Sequence, residues 1–324
     1  MRSRALLIAL TISLFSPFTP AIAAEPKVAI AYDIGFLGDN SFNDAVHLAL
    51  KAAKKKYGLV EPFVREVPTN GTAGDRLTRL RFLAKSGYTL IIAVGPGYRQ
   101  TVARVSKEYT ETQFAIINDN ELGQLNVSNI SFKETDGAFL AGVFSAALTK
   151  RRAVAFIGNE PDLLASFTLG AQTISKRVKV FNVSYPDSTS KLMESLEKVD
   201  IAYSTWDGDA SVLSIIVKNF KGKVSFISET PDQYFASIAG ARGVLVATVE
   251  KNLLKPIDQL VLAALQERSI IDVLDEEGGI YGREYSIKNG GIALRVLIKT
   301  SATSTVNNAV SQVKSGKLST SPLG

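Results

Sequence analysis

The chain has 324 residues, 46% of them hydrophobic and 21% charged, a globular composition long enough for one large or two medium domains. Cysteine is absent, which excludes disulfides, thiol catalysis and a thiolate-held metal. The formal net charge of +6 is mild and its lysines are scattered, so a nucleic-acid-binding surface is not expected.

Residues 1–24 have the build of a secretory signal peptide. Arg2 and Arg4 form a basic head, residues 5–15 are apolar, and Ala21-Ile-Ala-Ala24 offers small residues for cleavage near Ala24. The apolar stretch falls short of the roughly 20 residues a membrane span needs. Without Arg2 and Arg4 the net charge falls to about +4. No cysteine follows the signal, so a lipid anchor is not expected, and the predicted location is the periplasm or the cell exterior.

Beyond residue 25, runs with strand character recur at 28–32, 63–67, 90–94, 114–117, 154–157, 178–183, 201–203, 224–227 and 244–249. Segments of helical periodicity lie between them, at 43–56, 74–85, 100–109, 137–148, 163–176, 190–196, 210–219 and 253–266. Strands alternating with helices predict βαβ units and parallel sheets. The units are too many for one comfortable sheet, so two Rossmann-like α/β lobes are expected, with a boundary near 126–132. Lobe one is assigned 25–128 plus about 250–272, and lobe two 129–249 plus about 273–304. The remaining 305–324 would be a C-terminal helix and a tail, frayed from Lys314 onward. The Lys54-Lys55-Lys56 cluster reads as a solvated helix end, where cations suit the helix dipole.

The most informative segment is Asp33-Ile-Gly-Phe-Leu-Gly-Asp-Asn-Ser-Phe-Asn43. It leaves the first strand at its carboxyl end, the place where open α/β sheets bind ligands. Its acid, glycines, aromatic ring and amide suit a small polar molecule with a flat ring. Ser41 is a plausible N-cap for the helix that follows. Asp39 is expected to face solvent or bond within its loop.

With Asp33-Ile-Gly ahead of Ser41-Phe-Asn43, the chain resembles the basic membrane protein family of solute-binding proteins, nucleoside receptors of ABC importers. Gly95-Pro-Gly-Tyr98 looks like that family's glycine–aromatic turn, and Phe114-Ala-Ile-Ile117 like the strand ending at a base-contacting acid. The span from Asn126-Val to Phe139-Leu-Ala-Gly142 resembles its crossover, and Thr248-Val-Glu-Lys-Asn252 its hinge motif. The resemblance runs in order from about Lys27 to Arg295 and implies a type-I periplasmic-binding-protein fold, with parallel sheets joined by hinge crossovers and ligand enclosed between lobes. Three segments depart from the pattern. Asn118 stands where the acid is usual, with Asp119 after it; Ser204-Thr-Trp-Asp-Gly208 replaces a glycine-rich turn; Ser228-Glu-Thr-Pro-Asp-Gln233 replaces Val-Asp-Ser-Asp-Gln.

The resemblance implies that the Phe42 ring stacks on a purine; the alternative is core packing beneath the loop. Asn43 can read a nucleobase edge or simply cap its helix. Asp33 either accepts from base or sugar or bonds the amides of its own loop. One of Asn118 and Asp119 should face the cleft at the same rim. Trp206, the only tryptophan, either lines the cleft opposite Phe42 or packs in the core. Glu229 and Asp232 compete for the acid that accepts from ribose hydroxyls, Glu229 being favoured because it directly follows its strand. Lys251 would donate to the same sugar, or else be a surface lysine.

His47 is the only histidine and has no partner for a metal or for a nucleophile triad. No Gly-x-Ser-x-Gly, Gly-x-Gly-x-x-Gly or Walker pattern is present. This poverty of nucleophiles and bases argues against an enzyme, and the resemblance implies a cofactor-free, metal-free receptor, expected to be monomeric, that captures a nucleoside, a purine nucleoside foremost, and hands it to an ABC transporter permease. The alternatives are a binder of a sugar or modified base, a secreted nucleoside hydrolase built on Asp33, Asp39 and Asp44, and a ligand-sensing regulator on the same fold.

Overall fold

In a computed structural model of the chain the described residues are 26–33, 37–39, 41–186, 188–205, 211–231 and 238–322. Residues 1–24, expected to be a signal peptide, lie outside them. In chain order the first half runs β1 (Val28–Ala31), α1 (Phe42–Tyr57), β2 (Val64–Val67), α2 (Ala73–Lys85), β3 (Leu90–Val94), a 3-10 turn at Pro96–Tyr98, α3 (Arg99–Glu108), β4 (Gln113–Ile117) and β5 (Val127–Phe132). The second half runs α4 (Glu134–Leu148), β6 (Ala153–Ile157), α5 (Pro161–Ile174), β7 (Lys179–Val183), α6 (Thr189–Lys198), β8 (Ile201–Ser204), α7 (Ser211–Asn219), β9 (Ser225–Thr230) and β10 (Leu245–Lys251). Then follow α8 (Leu254–Leu265), β11 (Asp272–Asp275), β12 (Ile280–Tyr285), β13 (Ile292–Val296) and α9 (Ala302–Lys314).

The strands form two mostly parallel sheets, ordered β11-β12-β5-β4-β3-β1-β2 and β13-β10-β9-β8-β6-β7. Helices cover both faces, so the central strands are apolar throughout and fully buried: Val-Ala-Ile-Ala in β1, Leu-Ile-Ile-Ala-Val in β3, Ala-Val-Ala-Phe-Ile in β6. In α1 the apolar residues Val46, Ala49, Leu50 and Ala53 recur at helical spacing and are buried, and Gly58 ends the helix in the left-handed region at φ 68°. A contiguous core joins residues of both sheets, with Ile30 and Val94 of the first and Phe156 and Ile227 of the second bridged by Phe139 and Leu140 of α4.

The tail end of the chain departs from expectation. Strands β11 and β12 join the first sheet, β12 in parallel with β5, and only β13 returns to the second sheet, antiparallel to β10. Residues 273–285 therefore belong with the first sheet, and the expected boundary at 126–132 falls inside β5. Lys251, assigned with lobe one, ends a strand of the second sheet. Strand β5 carries polar residues inward, satisfied by distant partners, which breaks the apolar run that marks the other central strands. Ser128 donates to the Ile270 carbonyl at 2.6 Å, and the Asn129 side chain donates to Leu122 and Tyr281 carbonyls at 2.9 and 2.7 Å. The tail is not frayed at Thr320. That residue is buried, and its hydroxyl donates at 2.5 Å to Asp136, whose other oxygen accepts the Ile287 N–H at 2.8 Å. The crossings between sheets are thus tied to one another near the start of α4.

Candidate functional site

Each sheet reverses its winding at one place: between β1 and β3 in the first, between β6 and β8 in the second. Ligands of open α/β sheets bind in the crevice beyond the carboxyl ends of strands at such points. In the first sheet, Asp33 follows β1 and faces the Gly95–Tyr98 turn after β3. A Cβ on Gly97 would lie 2.2 Å from Asp33 Oδ2 and 3.0 Å from Arg76 Nη2, so a side chain there would push this pair aside. In the second sheet, Gly158 follows β6 and packs on Thr205 after β8; a Cβ there would lie 2.1 Å from Thr205 Oγ1. Thr205 donates to Glu160 at 2.8 Å. A recess of about 460 Å³ lined by Gly158, Asn159, Glu160 and Ser184 opens beside this pair.

Asp33 accepts from Arg76 Nε at 3.0 Å and Nη2 at 2.6 Å, and the guanidinium lies 5.6 Å from the Tyr98 ring centroid. Burial pushes the Tyr98 phenol up, and its hydroxyl donates to the Tyr32 carbonyl at 3.0 Å. Asp119 is buried; its carboxylate accepts from Arg99 Nε at 2.6 Å and from the Glu121 N–H at 3.0 Å. That hydrogen bond raises Arg99 above its already high value. Asn118, at φ 63°, is half-buried beside it, and its N–H donates to the Ile130 carbonyl at 2.7 Å. Both carboxylates thus hold arginines from the first turns of α2 and α3, the helices that follow β2 and β3 of the same sheet.

The helix start differs from expectation. Ser41 makes no side-chain cap; the Asp39 carboxylate accepts from the N–H groups of Ser41, Asn43 and Asp44 at 2.9, 3.0 and 3.1 Å. A carboxylate satisfies three orphan donors and suits the positive end of the helix dipole better than one hydroxyl does. Ser41 Oγ instead donates at 2.6 Å to the Pro231 carbonyl, beyond β9 in the other sheet. Asn43 is buried and Phe42 half-buried at the head of α1.

From the second sheet come Glu229 and Lys251, both buried at strand ends. Tyr203 donates its hydroxyl to Glu229 Oε1, and its ring stacks on Phe167 at 5.6 Å and meets Phe156 edge-on at 5.9 Å. Lys251 donates to Glu134 at 2.5 Å, and its Nζ lies 5.7 Å from the Phe42 ring centroid. Trp206 and Asp232 lie outside the described residues. His47, on α1, meets Glu66 at 2.7 Å, and Glu66 accepts from Tyr32 at 2.5 Å. Burial, reinforced by Glu66, pushes the Tyr32 phenol well up. Among the described residues no group of His, Asp and Glu side chains is arranged to hold a metal ion, and no helix is long and apolar enough to cross a membrane.

Arg76, Arg99, Glu134 and Tyr203 escaped the sequence reading. A signal for two of them existed. Arg76 and Arg99 sit in the first turns of α2 and α3, the wrong end of the dipole for a cation, which calls for a carboxylate partner outside the helix. If Asp33 and Arg76 act as a structural pair, Asp33→Asn and Arg76→Met should each cost about 1–3 kcal/mol of unfolding free energy, with less than additive loss in the double variant. Urea unfolding of the three variants measures this. Additive losses would show that the two side chains act independently.

A family model described as "ABC transporter substrate-binding protein PnrA-like" (Bmp) matches residues 26–205. The chain is 25% identical over 324 aligned positions to the "ABC transporter nucleoside-binding protein BmpA" of Lactococcus lactis, covering 90% of this chain and 87% of that protein. It is 30% identical over 165 residues to "Basic membrane protein A" of Borreliella afzelii, 48% of this chain and 49% of that one. A "CD4+ T-cell-stimulating antigen" of Listeria monocytogenes is 28% identical over 190 residues, and the chain spans only 51% of its length. Among solved structures, an ABC-transporter solute-binding protein from Conexibacter woesei superposes with a TM-score of 0.66 at 18% identity, over 91% of this chain and 98% of that one. At such identity the likeness is one of fold, that of a periplasmic-binding protein.

Proposed function

The chain belongs to the Bmp family of PnrA-like ABC-transporter substrate-binding proteins, and on that premise we propose that it captures a nucleoside, with purines preferred, between its two sheets and delivers it to a permease. The observation that carries this reading is the meeting of the Phe42 ring from the first sheet with the Lys251 ammonium from the second, 5.7 Å apart. The nucleoside-binding name of the Lactococcus lactis relative supports the ligand class.

In this reading Phe42 offers its face to the base, a contact worth roughly 0.5–1.5 kcal/mol beyond area burial. Asn43 supplies a donor and an acceptor to the base edge, and Asn118 takes the second edge position because Asp119 is held by Arg99. Glu229 accepts from adjacent ribose hydroxyls, and Lys251 donates to the same sugar while Glu134 fixes its ammonium. Contacts from both sheets are complete only when the two approach, so ligand shifts the population toward closure by its differential affinity for that form. The protein acts outside the cytoplasm as a monomer and performs no chemistry on its ligand.

Calorimetry of the purified chain against adenosine, guanosine, inosine, cytidine and a panel of free sugars tests the reading. One-site binding of a purine nucleoside, with the nucleoside recovered intact, is expected. Binding of a free sugar alone would overturn the ligand class, and release of free base from inosine would overturn the receptor reading.

A further inference from the structure

We propose that Ser41 is a positioning residue for ligand capture, fastening the turn that opens α1 to the end of β9 so that Phe42 and Asn43 are held opposite Glu229 and Lys251. The inference rests on the nucleoside-receptor reading for its ligand and on geometry for its mechanism. A serine just before a helix ordinarily spends its hydroxyl on the helix's own N–H groups. Here Asp39 has taken those donors at Ser41, Asn43 and Asp44, which releases Ser41 Oγ. The hydroxyl crosses instead to the Pro231 carbonyl at 2.6 Å, joining residues 190 positions apart and belonging to different sheets.

The two ends of this bond are adjacent to the proposed ligand contacts. On one side Phe42 and Asn43 follow Ser41 directly. On the other, Pro231 lies two residues beyond Glu229, and the neighbouring strand places Glu250 in register with Thr230, with Lys251 next. The Phe42 ring, next in sequence to Ser41, lies 5.7 Å from the Lys251 ammonium. Ser41 thus acts on the ligand only by holding the groups on either side of it. A neutral hydrogen bond of this kind biases an equilibrium by roughly two- to tenfold, and a ligand that requires the fastened state gains affinity by that factor.

Ser41→Ala and Ser41→Thr, made in the full chain, test the proposal by calorimetry and stopped-flow dissociation with whichever purine nucleoside the parent binds. Ser41→Ala should weaken binding by roughly two- to tenfold, mainly through faster dissociation and by the same factor for analogues altered in base or in sugar. Ser41→Thr, which keeps the hydroxyl, should restore binding, and the melting temperature without ligand should stay unchanged. Parent-like affinity in Ser41→Ala overturns the proposal. So does a loss confined to one set of analogues, which would mean direct ligand contact, or a loss matched by a fall in the unliganded melting temperature. If the parent binds no nucleoside, the functional reading has failed separately. The fastening is then read by small-angle scattering: a larger radius of gyration for Ser41→Ala than for the parent sustains it, and equal radii reject it.

Discussion

Gly142→Val is expected to be the most damaging single substitution away from the ligand site, costing about 3 kcal/mol or more. Helices α4 and α5 cross with their backbones in contact. A Cβ on Gly142 would lie 2.0 Å from the Phe167 carbonyl oxygen and 2.9 Å from the Ala171 nitrogen. The crossing is symmetrical, since a Cβ on Gly170 would lie 2.1 Å from the Phe139 carbonyl oxygen. The obstacle is main chain on both sides, so no rotamer change relieves it and the helices must separate. Separation would open the core around Phe139, Phe144 and Phe167, all fully buried. Those rings link the two sheets, so the loss should reach the hinge crossings as well. Gly74→Ala is the control. It lies in the first turn of α2 with nothing within 4 Å of a built Cβ, and it should gain about 0.5–1 kcal/mol from helix propensity. Urea unfolding monitored by circular dichroism compares the two; an unfolding midpoint for Gly142→Val within error of the parent would refute the backbone-contact argument.

The largest expected effect on binding belongs to Glu229. Its Oε1 accepts from the buried Tyr203 hydroxyl, and Tyr203 is itself immobilised between Phe167 and Phe156. A carboxylate oriented in this way is fixed in direction, and a carboxylate is the group that accepts from two adjacent hydroxyls. Hydrogen bonds to charged groups contribute about 1.5–3 kcal/mol. Glu229→Gln should therefore weaken a ribonucleoside by roughly 10- to 100-fold, while 2′,3′-dideoxy analogues lose much less. Tyr203→Phe keeps the aromatic stacking and should weaken the same ribonucleosides by a smaller factor. Calorimetry with the ribo and dideoxy pair separates a sugar-binding role from a structural one. Equal losses for both ligands would place Glu229 away from the ribose.

Much of the architecture was legible because it rests on local pattern. The run 90–94 is β3 residue for residue, since a strand buried on both faces must be apolar throughout. Helix α1 was legible from the spacing of Val46, Ala49, Leu50 and Ala53. Strand β5 was not, because Ser128 and Asn129 break the apolar run and their burial is offset only by Ile270, Leu122 and Tyr281. Strand β12 was assigned to the wrong sheet. It carries Gly282 at φ 152°, where a Cβ would lie 1.9 Å from the Asn129 carbonyl oxygen, and a lone glycine does not announce which strand it admits. The rim was legible as a set of strand ends and residue types. Which acids were already held by arginines was not.

The amino-acid order by itself determined the alternation of strands and helices, the two-sheet α/β plan and the family. The alternation and the plan follow from periodicity and composition within windows of a dozen residues, and the family from an ordered set of short motifs that resemble it. Only the tertiary structure decided that Asp39 rather than Ser41 caps α1, that Asp33 and Asp119 are held by Arg76 and Arg99, that Ser41 reaches Pro231, and that Thr320 closes on Asp136. A carboxylate or hydroxyl can satisfy itself with many partners, and the choice among them is made by which backbones the packed sheets bring within 3 Å.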